Sequence, residues 1–400
     1  MKPRPHRQVI SQIMKFRLPP QKHKLHPGLV FAMLFALAGI TAIIFVKAAP
    51  PVASFEVEKG QLDSTGMAKI GISTAASGGQ YVSFQGGNNN SSGGTSGIQI
   101  PKSGTLLGIF SEINTPQSSS VGTLEGNIGR NFDMRMRFYS TEALLPQLGG
   151  IKSDIANSGH MEVVAWEPSS GWPSDQQVRD VATALKSDKP VQIRFAHEMN
   201  GNWYKWSQGS TDEYKANWQR VYRIIKGYTD ASGKKIEGIA PNVLMNWAPF
   251  AYNVGKPYDQ YYPGDEYVDI VGIDLYVEQL GATMSSTAGG SLFDQIYNKY
   301  SVKKPFMIME TNSGPRKPGA HYTDKTAYYN DFVGFLQARP KISGVVFFDQ
   351  NKWDGEGADM AIAKTPGPND YNASNMNAFV NMAKNCHWGT DAHQATCKGF

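Results

Sequence analysis

VQIRFAHEMN, residues 191–200, is an apolar run that stops at an acid, Glu198; PFMIMETN, residues 305–312, repeats the design with Glu310. Runs of the same kind recur from residue 101 onward, at 106–110, 134–138, 161–166, 191–197, 243–247, 268–275, 306–309 and 345–348. Runs this short and this apolar suit strands buried on both faces, as in a parallel sheet. The segments between them read as helices. Ser174 with Gln177 forms a capping box, and Val178, Val181 and Leu185 continue on one face. Tyr214, Trp218, Val221, Tyr222 and Ile225 share a face before Gly227 stops the helix, and Tyr328, Phe332, Phe335 and Leu336 repeat the theme. This alternation predicts an α/β fold, a (β/α)8 TIM barrel over 101–385. A doubly wound open sheet would need a glycine-rich phosphate turn after its first strand, and SEIN, residues 111–114, stands there instead.

In such a barrel the reactive groups stand at the C-terminal ends of strands, where Glu198 and Glu310 fall. Two facing carboxylates are what glycoside hydrolysis requires: one protonates the leaving oxygen, the other attacks or activates water. A zinc helix is excluded at Glu198, because the HExxH pattern is broken by Gly201. The residues after Glu198 interleave Trp203 and Trp206 with Asn, Lys and Ser, a pattern for a loop lining a cleft. Their rings offer flat faces for sugars, with His197 and Asn202 as polar neighbours. No phosphate loop, dinucleotide fingerprint or Ser/His/Asp order occurs, so no cofactor and no metal is expected.

The stretches RFAHEMNGNWYKW, NVLMNWAPF, YYPGDEYVDIVGIDLY and PFMIMETNSGP resemble glycoside hydrolase family 26, over about residues 105–365. The resemblance implies a barrel, a retaining double displacement, and an endo-acting hydrolase of β-linked polysaccharide, first of all β-1,4-mannan. It makes Glu198 the acid/base and Glu310 the nucleophile, with Tyr276 hydrogen-bonded to the nucleophile. His197, Asn200, Trp203 and Trp247 would line the sugar subsites, and Trp206, Trp166 and Trp353 are further candidates for substrate contact. A mixed-linkage glucan or an exopolysaccharide is the alternative substrate, and a non-catalytic glycan-binding protein the alternative class. One departure concerns the eighth strand, where related barrels place a tryptophan platform and this chain has Phe347 and Phe348.

Weaker candidates follow from position. Arg194 shares the alternation parity of Glu198, so it is expected inside the barrel with a carboxylate partner. Glu167 ends the third strand, as a cap or a substrate contact. Asp274 precedes Tyr276 by one strand repeat as a support, and Asp349 follows the eighth strand.

The chain ends carry other information. Residues 1–27 hold seven Lys/Arg and no acid, a basic cytoplasmic tail, and 29–46 are eighteen uncharged positions rich in Leu, Ile, Phe and Ala. That length spans a bilayer, and the flanking basic charge keeps the N-terminus inside. A transmembrane signal anchor is therefore expected over 28–49, with the catalytic domain outside the cell, or secreted if the helix is cleaved. Counting Lys47, the first 47 residues carry eight Lys/Arg and no acid, so a total of +5 leaves the rest at net −3. Nucleic acid is not an expected partner. Residues 50–100 read as a short β-rich remnant followed by a Gly/Ser/Asn linker at 86–98, which adds about 20 Å of reach. Cys386 and Cys397 are expected to form a disulfide loop within 386–400. A monomer is expected.

Overall fold

The computed structural model describes residues 68–72, 80–84, 99–102, 104–111, 121–279, 281–314, 324–352, 358–362, 372–389 and 397. The expected basic tail, membrane anchor and linker lie outside these residues. No helix among the described residues is long and apolar enough to cross a membrane. The chain divides into two compact units, 1–92 and 93–400. In the first, Ala68–Ile72 pairs antiparallel with Gln80–Phe84. Both strands fall within residues 50–100, where a short β-rich remnant is expected.

In the second unit the apolar runs become eight strands: β1 (Leu106–Ser111), β2 (Met134–Ser140), β3 (Met161–Glu167), β4 (Val191–Phe195), β5 (Val243–Trp247), β6 (Ile270–Asp274), β7 (Phe306–Thr311) and β8 (Ile342–Asp349). Each pairs parallel with its neighbours in sequence, and β8 closes onto β1, giving the predicted barrel.

Among the described residues, seven helices of eight or more residues lie around it: α1 (Val121–Ile128), α2 (Thr141–Asn157), α3 (Asp175–Leu185), α4 (Thr211–Lys226), α5 (Leu292–Tyr300), α6 (Thr326–Gln337) and α7 (Ala373–Ala383). The Ser174–Gln177 capping box starts α3, and Gly227, at φ 83°, stops α4. A Cβ at Gly227 would lie 2.2 Å from the Ile236 carbonyl, so only glycine fits that turn. The β5–β6 crossover departs from the expected helix. It holds only 3₁₀ turns, Tyr258–Tyr261 and Asp265–Tyr267, in a segment carrying Pro249, Pro257 and Pro263. Proline lacks the donor and the steric room a continuous helix needs.

Apolar burial falls in two layers. An outer layer, including Trp166, Phe195, Trp218, Trp247 and Phe347, joins strands to helices. The barrel interior is rich in methionine: Met134, Met136, Met161, Met307 and Met309. Gln192 Nε2 donates to the sulfurs of Met161 at 3.2 Å and of Met134 and Met307 at 3.5 Å. Asn246 Nδ2 donates to Gln192 Oε1 at 3.0 Å and to Met309 Sδ at 3.1 Å. Unbranched thioethers fill the irregular space, and inward glycines admit them: a Cβ at Gly272 would sit 2.7 Å from Met309 Cγ. This packed floor is the platform on which the polar groups above it stand.

Candidate active site

Regular β4 ends at Phe195, and the next three residues run on along the barrel rim. Ala196 N donates to Trp166 O and Glu198 N to Ala248 O, at 3.0 and 2.8 Å, keeping the chain between β3 and β5. Ala196 and Glu198 take φ of 45° and 51°, conformations that cost non-glycine residues about 1–2 kcal/mol each. The surroundings offset that cost by pinning three successive carbonyls. Tyr214 Oη donates to Ala196 O (3.1 Å), Trp206 Nε1 to His197 O (2.7 Å), and Gly201 N to Glu198 O (2.9 Å).

Glu310 reaches the same place by a different irregularity. Met307 and Met309 face the interior, so strict alternation would turn Glu310 outward. The β7–β8 register shifts between Ile308 and Thr311, and the β6–β7 register shifts at Asp274, which pairs with Glu310. The irregularity brings the carboxylate inside. One carboxylate oxygen each of Glu198, Asp274 and Glu310 lie within 4.8 Å of one another.

A buried guanidinium organises this acidic cluster. Arg194 is fully buried; its Nη1 donates to Glu310 Oε1 at 2.5 Å and its Nη2 donates to Asp274 Oδ2. The inward placement and the carboxylate partner both match the expectation for Arg194. Three acids within reach of one another are a possible cation site. Here the planar fork of Arg194 already supplies the cation, bonded to two of them. Burial alone would lower Arg194, yet Asp274 and Glu310 together hold it above the ordinary arginine value. Burial pushes Asp274 well above the ordinary carboxylate range, with Arg194 acting in the opposite direction.

The other Glu310 oxygen, Oε2, accepts from Tyr276 Oη at 2.5 Å. Burial, reinforced by Glu310, raises Tyr276 well above the ordinary tyrosine range, so it serves as a neutral donor. Both oxygens of Glu310 are thus acceptors. Glu198 has a different neighbour: Trp203 Nε1 donates to its Oε2 at 2.8 Å. The Trp203 ring is 43% exposed, lies over Gly201 and stands edge-on to Phe250. His197 Nε2 lies 3.2 Å from Tyr204 Oη, 3.7 Å from Glu167 Oε1 and 4.0 Å from Glu310 Oε1. Glu167 therefore reaches toward this group.

Several candidates are placed elsewhere. Asn200 is fully buried, and its amide ties the β4 loop to the β5 loop. Nδ2 donates to Phe250 O (2.8 Å) and Tyr252 O (3.0 Å), and Oδ1 accepts from Phe250 N (2.8 Å). With its bonds spent on backbone, it is a loop clamp and not a sugar contact. Trp247 is buried in the outer layer against Tyr262 and Tyr300. Trp166 is buried with its Nε1 on Thr141 Oγ1. Trp206 is buried under Tyr204, stacked at 4.2 Å. All three are corrected from substrate contacts to supports of the rim. Asp349 is buried and accepts from Ser111 Oγ and Ile362 N, so it too leaves the cleft. Trp353 lies outside the described residues.

Of the two eighth-strand phenylalanines, Phe347 packs in the outer layer, while Phe348 packs edge-on to Tyr276 at 5.8 Å and tilted against Phe110 at 4.7 Å. Sequence reasoning missed Phe110, Phe138 and Tyr204. Phe138 shares the parity of inward Met134 and Met136, meets His197 edge-on at 5.6 Å, and lies under Arg194, so alternation along β2 carried its signal. The Cys386–Cys397 disulfide forms as expected.

The family model described as glycosyl hydrolase family 26 matches residues 173–323. Endoglucanase H of Acetivibrio thermocellus is 27% identical over 254 residues, covering 59% of this chain and 27% of that protein. A mannan endo-1,4-beta-mannosidase of Bacillus subtilis is 29% identical over 175 residues, 41% of this chain and 43% of that protein. The chain thus spans under half the length of these relatives. The Cellulomonas fimi endo-beta-1,4-mannanase structure aligns over 72% of each chain with a TM-score of 0.51 at 17% identity, a likeness of fold.

Proposed function

The chain belongs to glycosyl hydrolase family 26, and from that premise we propose that it is a retaining endo-acting β-glycanase whose first substrate is β-1,4-mannan. The observation that carries the reading is the carboxylate pair: oxygens of Glu198 and Glu310 approach within 4.8 Å. A retaining pair stands about 5–5.5 Å apart, whereas an inverting pair needs about 6.5–9.5 Å to admit a water between them.

The unequal surroundings support a division of roles. Glu310, with acceptors aimed at Arg194 and Tyr276, is the nucleophile. Glu198, at the open side beside Trp203, is the acid/base. In the first step Glu198 gives its proton to the glycosidic oxygen while Glu310 attacks the anomeric carbon. The bond to the leaving sugar breaks, and a glycosyl ester forms on Glu310. In the second, the Glu198 carboxylate takes a proton from water, the water oxygen attacks the same carbon, and the ester bond to Glu310 breaks. Two inversions return the β configuration.

Relatives named as mannan endo-1,4-beta-mannosidases support mannan, and the relative named Endoglucanase H keeps mixed-linkage glucan as the second substrate. Phe348 offers a smaller face than the tryptophan expected from related barrels, which favours testing glucan and xylan beside mannan. The uncharged stretch 29–46 behind seven basic residues supports display outside the cell on a membrane anchor.

The test is release of reducing sugar from β-mannan, mixed-linkage β-glucan and β-1,3-xylan, with Glu310→Ala as the blank. Proton NMR of the first product follows the anomer. Turnover on mannan with β product first is expected. An α product first would refute retention. Affinity for mannan without turnover in the unaltered protein would favour a glycan-binding role.

A further inference from the structure

The opposite mouth of the barrel carries a different surface. Where the N-terminal ends of β7, β8 and β1 meet, a cavity of about 300 Å³ is lined by Ile100, Lys102, Lys303, Lys304 and Lys341, together with prolines and small residues. No Asp or Glu is among its lining residues. Asp265 stands at its margin, 3.2 Å from Lys303 Nζ, and its backbone carbonyl accepts from Lys304 Nζ at 2.6 Å. Beside these lysines Val302 is 64% exposed, among the few large apolar side chains of the described residues left so open.

Four lysines around exposed apolar carbon stand out on a body that nets −3 beyond residue 47. Such a body is repelled by an anionic surface in most orientations, and this face is where attraction wins. The chain supplies the partner's position. The linker at 86–98 joins the barrel at Gln99 and Ile100, and Ile100 is part of the cavity wall. The sequence that precedes Gln99, the apolar stretch 29–46 included, thus enters the barrel unit at this mouth. Lys304 and Glu310 are separated by the length of β7, about 20 Å at 3.3 Å per residue.

We infer that the lysine face at the base of the barrel docks on anionic lipid headgroups, holding the catalytic mouth away from the membrane. The inference extends the membrane-anchored reading proposed above. Lysines at an anionic leaflet give electrostatic attraction, and Val302 with the adjoining prolines gives a shallow apolar contact. Each lysine so placed multiplies the docked population about fivefold at physiological salt.

The experiment uses the full chain with a bimane label at Val302→Cys or, on the catalytic side, at Tyr252→Cys. Vesicles contain headgroup spin-labelled lipid in phosphatidylcholine, with or without about 30% phosphatidylglycerol. Quenching at position 302 and not at 252, requiring phosphatidylglycerol and lost near about 500 mM salt, is expected. Lys303→Glu with Lys341→Glu should lower the docked population about 25-fold or more, with hydrolysis of soluble polysaccharide unchanged. Equal quenching at both positions, or quenching at 302 indifferent to lipid charge and to the double substitution, would overturn the inference. Loss of quenching on adding inorganic phosphate at constant ionic strength would also overturn it, assigning the site to free phosphate. Flotation on pure phosphatidylcholine vesicles scores the anchor separately. A chain that fails to float there but still shows charge-dependent quenching at 302 would refute the anchor alone.

Discussion

Replacing Arg194 with methionine removes the cation on which the acidic cluster depends while keeping most of the side-chain volume. Arg194 and Asp274 have no exposed side-chain surface, and Glu310 is 6% exposed, so water cannot take over the lost bonds without rearrangement. Breaking a buried pair from one side costs about 3–5 kcal/mol, because the surviving charge is left unpaired. For a domain of this size that is a fall of about 5–8 °C in Tm. The pH dependence has a definite sign. Asp274 is already raised above 3.8 by burial, so the native state holds a proton that the unfolded state releases, and stability declines as pH rises through that window. Arg194 is the group that opposes this rise, so its removal extends the window upward. The penalty of Arg194→Met should therefore be larger at pH 8 than at pH 5, growing by at most about 1.4 kcal/mol per pH unit for one proton. Urea unfolding of the single variant and of Arg194→Met with Asp274→Asn measures both effects. The neutral amide should return at least about 1 kcal/mol at pH 8. A cost below about 1 kcal/mol, or no relief from Asp274→Asn, would show that the guanidinium is not the counter-charge of the site.

Two further outcomes are expected. Gly201→Ala puts a Cβ 2.5 Å from the Trp203 ring, so the indole must leave and its bond to Glu198 is lost. Turnover of polymer should fall about 10–100-fold, and of aryl glycosides with acidic leaving groups much less, because these need little proton donation; equal losses would detach Trp203 from the acid role. Burial lowers His387 below 6.5, so the native state keeps the imidazole neutral and stability is lost as pH falls below that value. His387→Gln, which can still meet Thr105 Oγ1, should flatten the decline in urea midpoint between pH 7 and pH 5; an unchanged slope would assign it to other groups.

The strands were legible because burial on both faces leaves short apolar runs with little else in them, and all eight runs became strands of the barrel. The missing helix was legible too, in Pro249, Pro257 and Pro263, but the repeating rhythm of the fold outweighed that local signal. The tryptophans failed for a different reason. Residue type says that a ring wants a flat partner, not which face it will find one on. Alternation settles that question inside a strand: Ala165 and Asn246 face the interior, so Trp166 and Trp247 must face the helices. The same rule gives the wrong side for Glu310, because a register shift intervenes, and the right side for Glu198 across a backbone that no longer alternates. Parity is thus informative where hydrogen bonding is regular and loses its warrant within the last residues of a strand. Those last residues are where reactive groups must stand, clear of the packed floor and still held by it. Irregular backbone there is what lets two acids from strands separated around the barrel converge on one point, at a cost that Tyr214, Trp206 and the Asn200 clamp are placed to offset.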